Sequence, residues 1–243
     1  MKKKILTAGL AFLMSASFFS CGNKETSSTS VEDAPSTESV TNDVLMSCDE
    51  DEYIASLSSE ELNAFIGSGI EIDYRDFIED EDFIEFLELY TLGDRYARLP
   101  NEDGVPENPV VVKPYREIIV DERIEPAPFR GWMFPIVDNG RCVALLGAVC
   151  DPDGTNPGYV NGISYSDDIN KALEKGRFVV FSQIATGNTY AIFEDNEIIP
   201  IHNSKPYNSI DVTFEELSSF GYVIDENTFS DVIYNIDDIV FNN

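Results

Sequence analysis

The chain has 243 residues, with 16 Lys and Arg against 45 Asp and Glu, and a formal net charge of −29. Its 43% hydrophobic and 12% aromatic content suffices for a packed core, so a wholly disordered acidic chain is excluded. The acidity excludes wrapping nucleic acid, which needs Lys and Arg to replace counterions on phosphate, and it excludes electrostatic docking on anionic lipid.

The first twenty residues differ from the rest. Lys2, Lys3 and Lys4 precede the apolar run Ile5 to Met14 and the small or aromatic stretch Ser15 to Ser20. This is the layout of a secretory signal, too short and wrongly flanked to span a bilayer. Cys21 follows Phe18-Phe19-Ser20. The segment resembles the signal and lipobox of bacterial lipoproteins, with Ser20 as the small residue before Cys21 and Phe18 where such signals usually carry Leu. The resemblance implies that residues 1–20 are removed and Cys21 receives a diacylglyceryl group. The chain is then held to a membrane by acyl chains rather than by a spanning helix. The mature chain keeps 13 of its 16 basic residues and all 45 acidic ones, a net charge of −32. Gly22 stands where an Asp in such proteins signals inner-membrane retention, which favours an outer-membrane or cell-surface location.

Residues 21–52 are expected to form an acidic, Ser/Thr-rich tether. Asn23 to Asp43 has almost no apolar residues, so it cannot bury enough surface to offset its ordering entropy. Asp49 to Glu52 continues the charge up to the folded part, and such a run is a solvated face rather than a ligand site. Residues 53–243 are expected to be a single globular domain.

That domain opens with two expected helices. Ser58 and Glu61 have capping-box spacing, with Leu62, Phe65 and Ile66 on one face before Gly67. Phe83, Phe86, Leu87 and Tyr90 predict a second helix over about Glu79 to Leu92, closed by Gly93. After a Pro-rich loop from Leu99 to Pro109, Val110 to Val112 and Ile118 to Val120 read as strands, the first demoted by Pro114 to an edge or a short piece. Trp132 to Val137 and Arg141 to Val149 flank Asp138-Asn139-Gly140, a type I′ hairpin signal. The second arm is apolar on both faces and belongs inside a sheet covered on both sides.

A short strand at Tyr159 to Ile163 precedes a helix from about Asp167 to Lys175, with Ser164 and Asp167 at cap spacing. A meander follows: Phe178 to Ala185, Thr189 to Glu194 and Glu197 to His202, turning at Gly187-Asn188 and Asp195-Asn196. Thr213 and Glu216 cap one late helix. Thr228 and Asp231 are expected to cap another, with Phe229, Val232, Ile233 and Ile236 on its face. The expected class is α+β: an antiparallel sheet of about six strands with helices at both ends of the chain.

Few residues could carry chemistry. Cys142 and Cys150 lie eight positions apart in one predicted strand, about 26 Å if straight, too far for a disulfide. They read as small buried hydrophobes, and Cys48 leaves the thiol count odd. His202 is the only histidine, so a Ser-His-Asp or Cys-His hydrolase would have to use it, yet no G-x-S-x-G turn is present. Asp151, Asp153 and Asn156 form a weak calcium candidate, although Gly162 occupies the twelfth place where an EF-hand loop needs Glu. Asp-Pro-Asp-Gly is also an ordinary type I turn. Trp132, the one tryptophan, suggests a sugar platform only weakly, and no nucleotide-binding motif is present. No cofactor is expected.

The leading expectation is a non-enzymatic, membrane-anchored binding or interaction lipoprotein of the bacterial cell envelope, meeting an envelope or extracellular protein or a glycan. The alternatives are a small envelope hydrolase using His202 or an Asp/Glu pair, and a protease-inhibitor-like module that offers an edge strand, such as Val110 to Val112, by β-augmentation.

Overall fold

The computed structural model describes residues 54–67, 71–84, 87, 108–151, 154–155, 157–161, 165–202, 204–207 and 211–235. The signal, Cys21, the tether and Cys48 therefore lie outside the described residues, as do Phe86, Tyr90 and Gly93 of the expected second helix.

The elements are α1 (Ser59–Ile66), α2 (Arg75–Ile78), β1 (Val110–Val112), β2 (Ile118–Asp121), β3 (Ile124–Pro128), β4 (Trp132–Asp138), β5 (Arg141–Val149), β6 (Gly158–Asn161), α3 (Ser166–Lys175), β7 (Phe178–Gln183), β8 (Asn188–Phe193), β9 (Ile198–Ile201), α4 (Phe214–Ser218) and β10 (Val232–Asn235). The class is α+β. Its strands divide into two five-stranded sheets, ordered β10-β1-β4-β5-β6 and β3-β2-β7-β8-β9. The first is wholly antiparallel, and the second has one parallel pair, β2 beside β7.

Alternation along the strands builds three apolar layers. Met133 and Val137 of β4 meet Phe178 and Val180 of β7 in a central core between the sheets. The intervening Trp132, Phe134 and Ile136 face outward, where Phe77, Phe83 and Leu87 cover the first sheet. Val179 and Phe181 face the other way, under Val212 and Leu217. Each such side chain, fully buried, contributes about 1.5–3 kcal/mol, so strands apolar on both faces are stable only in this layered setting.

The local chemistry explains most elements. Ser58 and Glu61 form the expected capping box of α1. Gly67 ends α1 at φ 70°, and a side chain there would strike Arg130, its Cβ lying 2.7 Å from the Arg130 Cβ. Asn139 and Gly140 take positive φ (50° and 78°), as the hairpin turn between β4 and β5 requires. Residues 81–84 and 87 are helical, within the expected second helix, and α2 precedes them as a separate turn.

Two expectations are corrected. Thr228 to Asp231 does not start a helix: one 3-10 turn, Thr228–Ser230, leads into β10. Asp225 and Thr228 bond each other's backbone amides, which closes the turn early. The β-branched and aromatic Val232-Ile233-Tyr234 then suits a strand. In consequence β1, expected at an edge or as a short piece, is a short piece in the interior, paired with β10 on one side and β4 on the other. It is short, and Pro114 falls beyond its end, so the missing N–H costs no ladder bond. The strand proposed for β-augmentation has no free edge.

Candidate functional site

Each predicted site residue has a definite place or lies outside the described residues. Cys142 and Cys150 are buried thiols, neither in a disulfide, on β5 and just past its end. Burial pushes the Cys142 thiol far above its ordinary value, against weaker lowering by the Ala144 backbone. A thiol held protonated is a poor nucleophile. Asp151 closes a turn, with Gly154 N–H donating to its carbonyl and its own N–H to that of Thr155, while Asp153 and Asn156 lie outside the described residues. Among the described residues no group of three or more His, Cys, Asp or Glu is arranged to hold a metal. Trp132 is buried, its indole N–H donating to the Ile72 carbonyl and its ring against Tyr74 and Tyr222, so it offers no open sugar platform.

His202 sits one residue past β9 at φ 55°, and its backbone N–H donates to Asp168 Oδ2 of α3 at 3.0 Å. Its ring lies 5.7 Å from that of Tyr165. Tyr165, the residue before α3, leads to a feature that patterning did not reveal.

Tyr165 Oη donates to Glu117 Oε1 at 2.8 Å, and Ser182 Oγ donates to Glu117 Oε2 at 2.8 Å. Ser182 Oγ also shares a hydrogen bond with Thr189 Oγ1 at 3.0 Å. The strand register produces this cluster. Ile119 pairs with Ser182 and Ser182 with Thr189, so all three share a face with Glu117, two residues before Ile119. Ile119, Val180 and Ala191 continue that face into the central core. Glu117 is thus a carboxyl set into the end of an apolar layer. Burial raises its pKa, against weaker lowering by the bonds from Ser182 and Tyr165. Tyr115, 2% exposed, completes the group from the first sheet, which it joins through a bridge to Met133. Its buried hydroxyl lies beside that of Tyr165 and near the Glu117 carboxyl.

Glu117 therefore lies where the chain crosses from one sheet to the other, with the only histidine beyond Tyr165. A lone Glu between Arg116 and Ile118 carries no motif, and only the parallel pairing of β2 with β7 reveals its neighbours. The one available signal was a charged residue abutting an apolar strand.

Two buried arginines are held differently. Arg116 Nε donates to the Phe129 carbonyl at 2.6 Å, and its guanidinium lies over Trp132 and Tyr222. Arg130 Nε donates to the Cys150 carbonyl at 2.7 Å, and its guanidinium lies over Phe65 and Phe129. Aromatic faces thus take part of the role that carboxylates play for exposed arginines.

Among the described residues no helix is long and apolar enough to cross a membrane. The chain matches no protein-family model, no curated protein and no solved structure, so the Glu117 cluster is read from its own geometry.

Proposed function

We propose that the chain is a lipid-anchored, non-enzymatic binding or interaction protein of a bacterial cell envelope, placed at an outer membrane or cell surface. The observation that carries this reading is the succession of Lys2 to Lys4, an apolar run, Ser20-Cys21 and an acidic tether. The charge of −29 supports an exported surface that stands off anionic lipid and meets a protein, a glycan or a small molecule rather than nucleic acid. The inert burial of Cys142 supports binding over thiol catalysis. Feeding cells a labelled fatty acid tests the anchor. The wild-type chain takes up label and sediments with membranes, whereas Cys21→Ala does neither. An unlabelled wild-type chain in the soluble fraction would overturn the reading.

A second reading, a small hydrolase, draws on one observation: Tyr165 lies between Glu117 and His202. Turnover of ester or glycoside substrates that disappears in both Glu117→Gln and His202→Ala would favour it over binding.

A further inference from the structure

Four strands end the two sheets: β10 and β6 in the first, β3 and β9 in the second. β3 contains Glu125, Pro126 and Pro128, β9 contains Pro200, and β6 begins at Gly158. Proline lacks the N–H that an added strand would use, and charge or glycine makes pairing less favourable. β10 is Val232-Ile233-Tyr234-Asn235, without Pro, Gly or charge, and it pairs only with β1. Its outer margin therefore presents backbone N–H and C=O groups that no strand among the described residues takes up. Val232 is 50% exposed, the one large hydrophobic side chain so exposed among the described residues. An open edge and an open apolar side chain coincide on the same four residues.

We propose that the outer edge of β10 binds an extended segment of a partner protein as an added strand, apolar in its middle and with Lys or Arg at its ends. Charge selects this occupant. Asp231 is exposed where the strand begins, Glu226 is exposed shortly before it, and Asp237 and Asp238 follow it in sequence. Opposite charges across paired strands favour pairing, and like charges oppose it. A second copy of this chain fits poorly, because antiparallel pairing of two β10 strands brings acid-flanked ends together on chains that each carry a net charge of −29. A glycan lacks the regular row of N–H and C=O groups that a strand edge complements. The ladder gives affinity with little regard to sequence, and Val232 adds an apolar contact on one face of the added strand. This inference rests on reading the domain as a binding module, whose partner it specifies by chemistry, and the anchor at Cys21 stands without it.

The test uses the full-length, isotope-labelled protein in a non-ionic detergent. Its amide resonances are followed as the end-capped peptide Lys-Val-Thr-Val-Thr-Val-Lys is added, against one peptide with Glu for both Lys and another with Pro for the central Val. The basic peptide should shift the amides of Val232 to Asn235 most and leave those of β6 and β9 unmoved. It should bind about tenfold more tightly than the acidic peptide, since opposite-charge pairs replace like-charge ones, and the proline peptide should not bind at β10. Val232→Lys sets a like charge against the basic peptide at an exposed position, and should weaken its binding about tenfold without lowering the Tm. Three results would each overturn the proposal: β10 amides that do not move, equal binding of the acidic or proline peptide, or undiminished binding in Val232→Lys. A dimer in sedimentation equilibrium that Val232→Lys dissociates would give the edge to a second copy and overturn it as well. Because fatty-acid labelling of Cys21 is read separately, failure here is distinguishable from failure of the envelope-anchoring reading.

Discussion

Tyr165 donates its phenolic proton to Glu117 at 2.8 Å across 48 residues of chain, tying the start of α3 to the strand crossing between the two sheets. The bond explains why Tyr165, although it occupies the N-cap position of α3, makes no side-chain cap there. The side chain is committed to the carboxyl instead. Removing the hydroxyl in Tyr165→Phe leaves Glu117 with one donor fewer in a desolvated setting, at a cost of about 1.5–3 kcal/mol. A urea midpoint that falls with an unchanged m-value would show it, and an unchanged midpoint would not be compatible with this bond.

The pH dependence of stability follows from the same carboxyl. Burial raises the Glu117 pKa in the folded state above that of an unfolded Glu, about 4.3. Below the unfolded value both states hold the proton and Glu117 exerts its full favourable contribution. As pH rises through the folded value the contribution is lost, because the folded chain must then ionise a buried group. Glu117→Gln carries no such penalty. The variant should gain stability relative to wild type as pH rises, and the gain should level off above the folded value. Paired unfolding curves from pH 4 to pH 9 check this, and a constant difference would contradict the assigned burial.

The two thiols of the described domain should be silent in the native protein. Cys142 and Cys150 are 3% and 1% exposed, and burial holds the Cys142 thiol protonated. Mass mapping after brief alkylation should find both unmodified, and both should label fully in denaturant. Rapid native labelling of either would mean that β5 opens readily.

Much of this architecture was legible because its signals are local. The Ser58–Glu61 box, the Asn139-Gly140 turn and a β5 apolar on both faces are fixed by neighbouring residues, and all three appear as expected. What was not legible depends on partners far away in sequence. Val232 to Asn235 is short, and apolar spacing over so few residues suits a helix face or a strand equally. Its partner β1, more than a hundred residues earlier, decides the matter. The doubling of the sheet is hidden similarly, since nothing local marks the step from Tyr115 in one sheet to Ile118 in the other. Glu117 stands within that step. His202 was visible as the only histidine, but its neighbours Tyr165 and Asp168 emerge only when α3 packs beside β9.

Asn170 offers a test of how α3 is held. Its side chain accepts from Cys142 N–H and donates to the Cys142 carbonyl, both at 2.9 Å. The register of β4 on β5 slips beside this point, between Ile136 opposite Ala144 and Val137 opposite Cys142. A bulge disturbs the ladder, and a side-chain amide can satisfy what the ladder leaves open. Asn170→Ala removes both bonds and should cost about 2–4 kcal/mol. Asn170→Asp retains only the acceptor and should fall between alanine and wild type. Urea unfolding of the three proteins gives the order, and Asn170→Ala as stable as wild type would remove Asn170 from this role.

Arg123, between β2 and β3, pairs with Asp121 at 2.7 Å, and its Nη1 donates to the carbonyls of Ile54, Ala55 and Leu57. These carbonyls lie in and just after the short helical turn at 54–56, that of Ile54 also accepting from the Leu57 amide, and a guanidinium is suited to them by charge and by its fork of donors. Burial pushes the Asp121 carboxyl up, but the hydrogen bonds and charge of Arg123 outweigh this and hold it below the ordinary range. The stability from this pair is present above the unfolded Asp value, about 3.9, and is lost as pH falls through the lower folded value. Arg123→Met strands a nearly buried carboxylate and frees three carbonyls. Because Arg123 is partly exposed, the cost should be about 2 kcal/mol, below that of breaking a fully buried pair. Hydrogen exchange locates the effect: the amide of Leu57, bonded to the Ile54 carbonyl, should lose protection while those of β7 and β8 keep theirs at neutral pH. Protection of Leu57 equal to wild type would mean that the first residues of the domain are held by Ile54 in the core, not by Arg123.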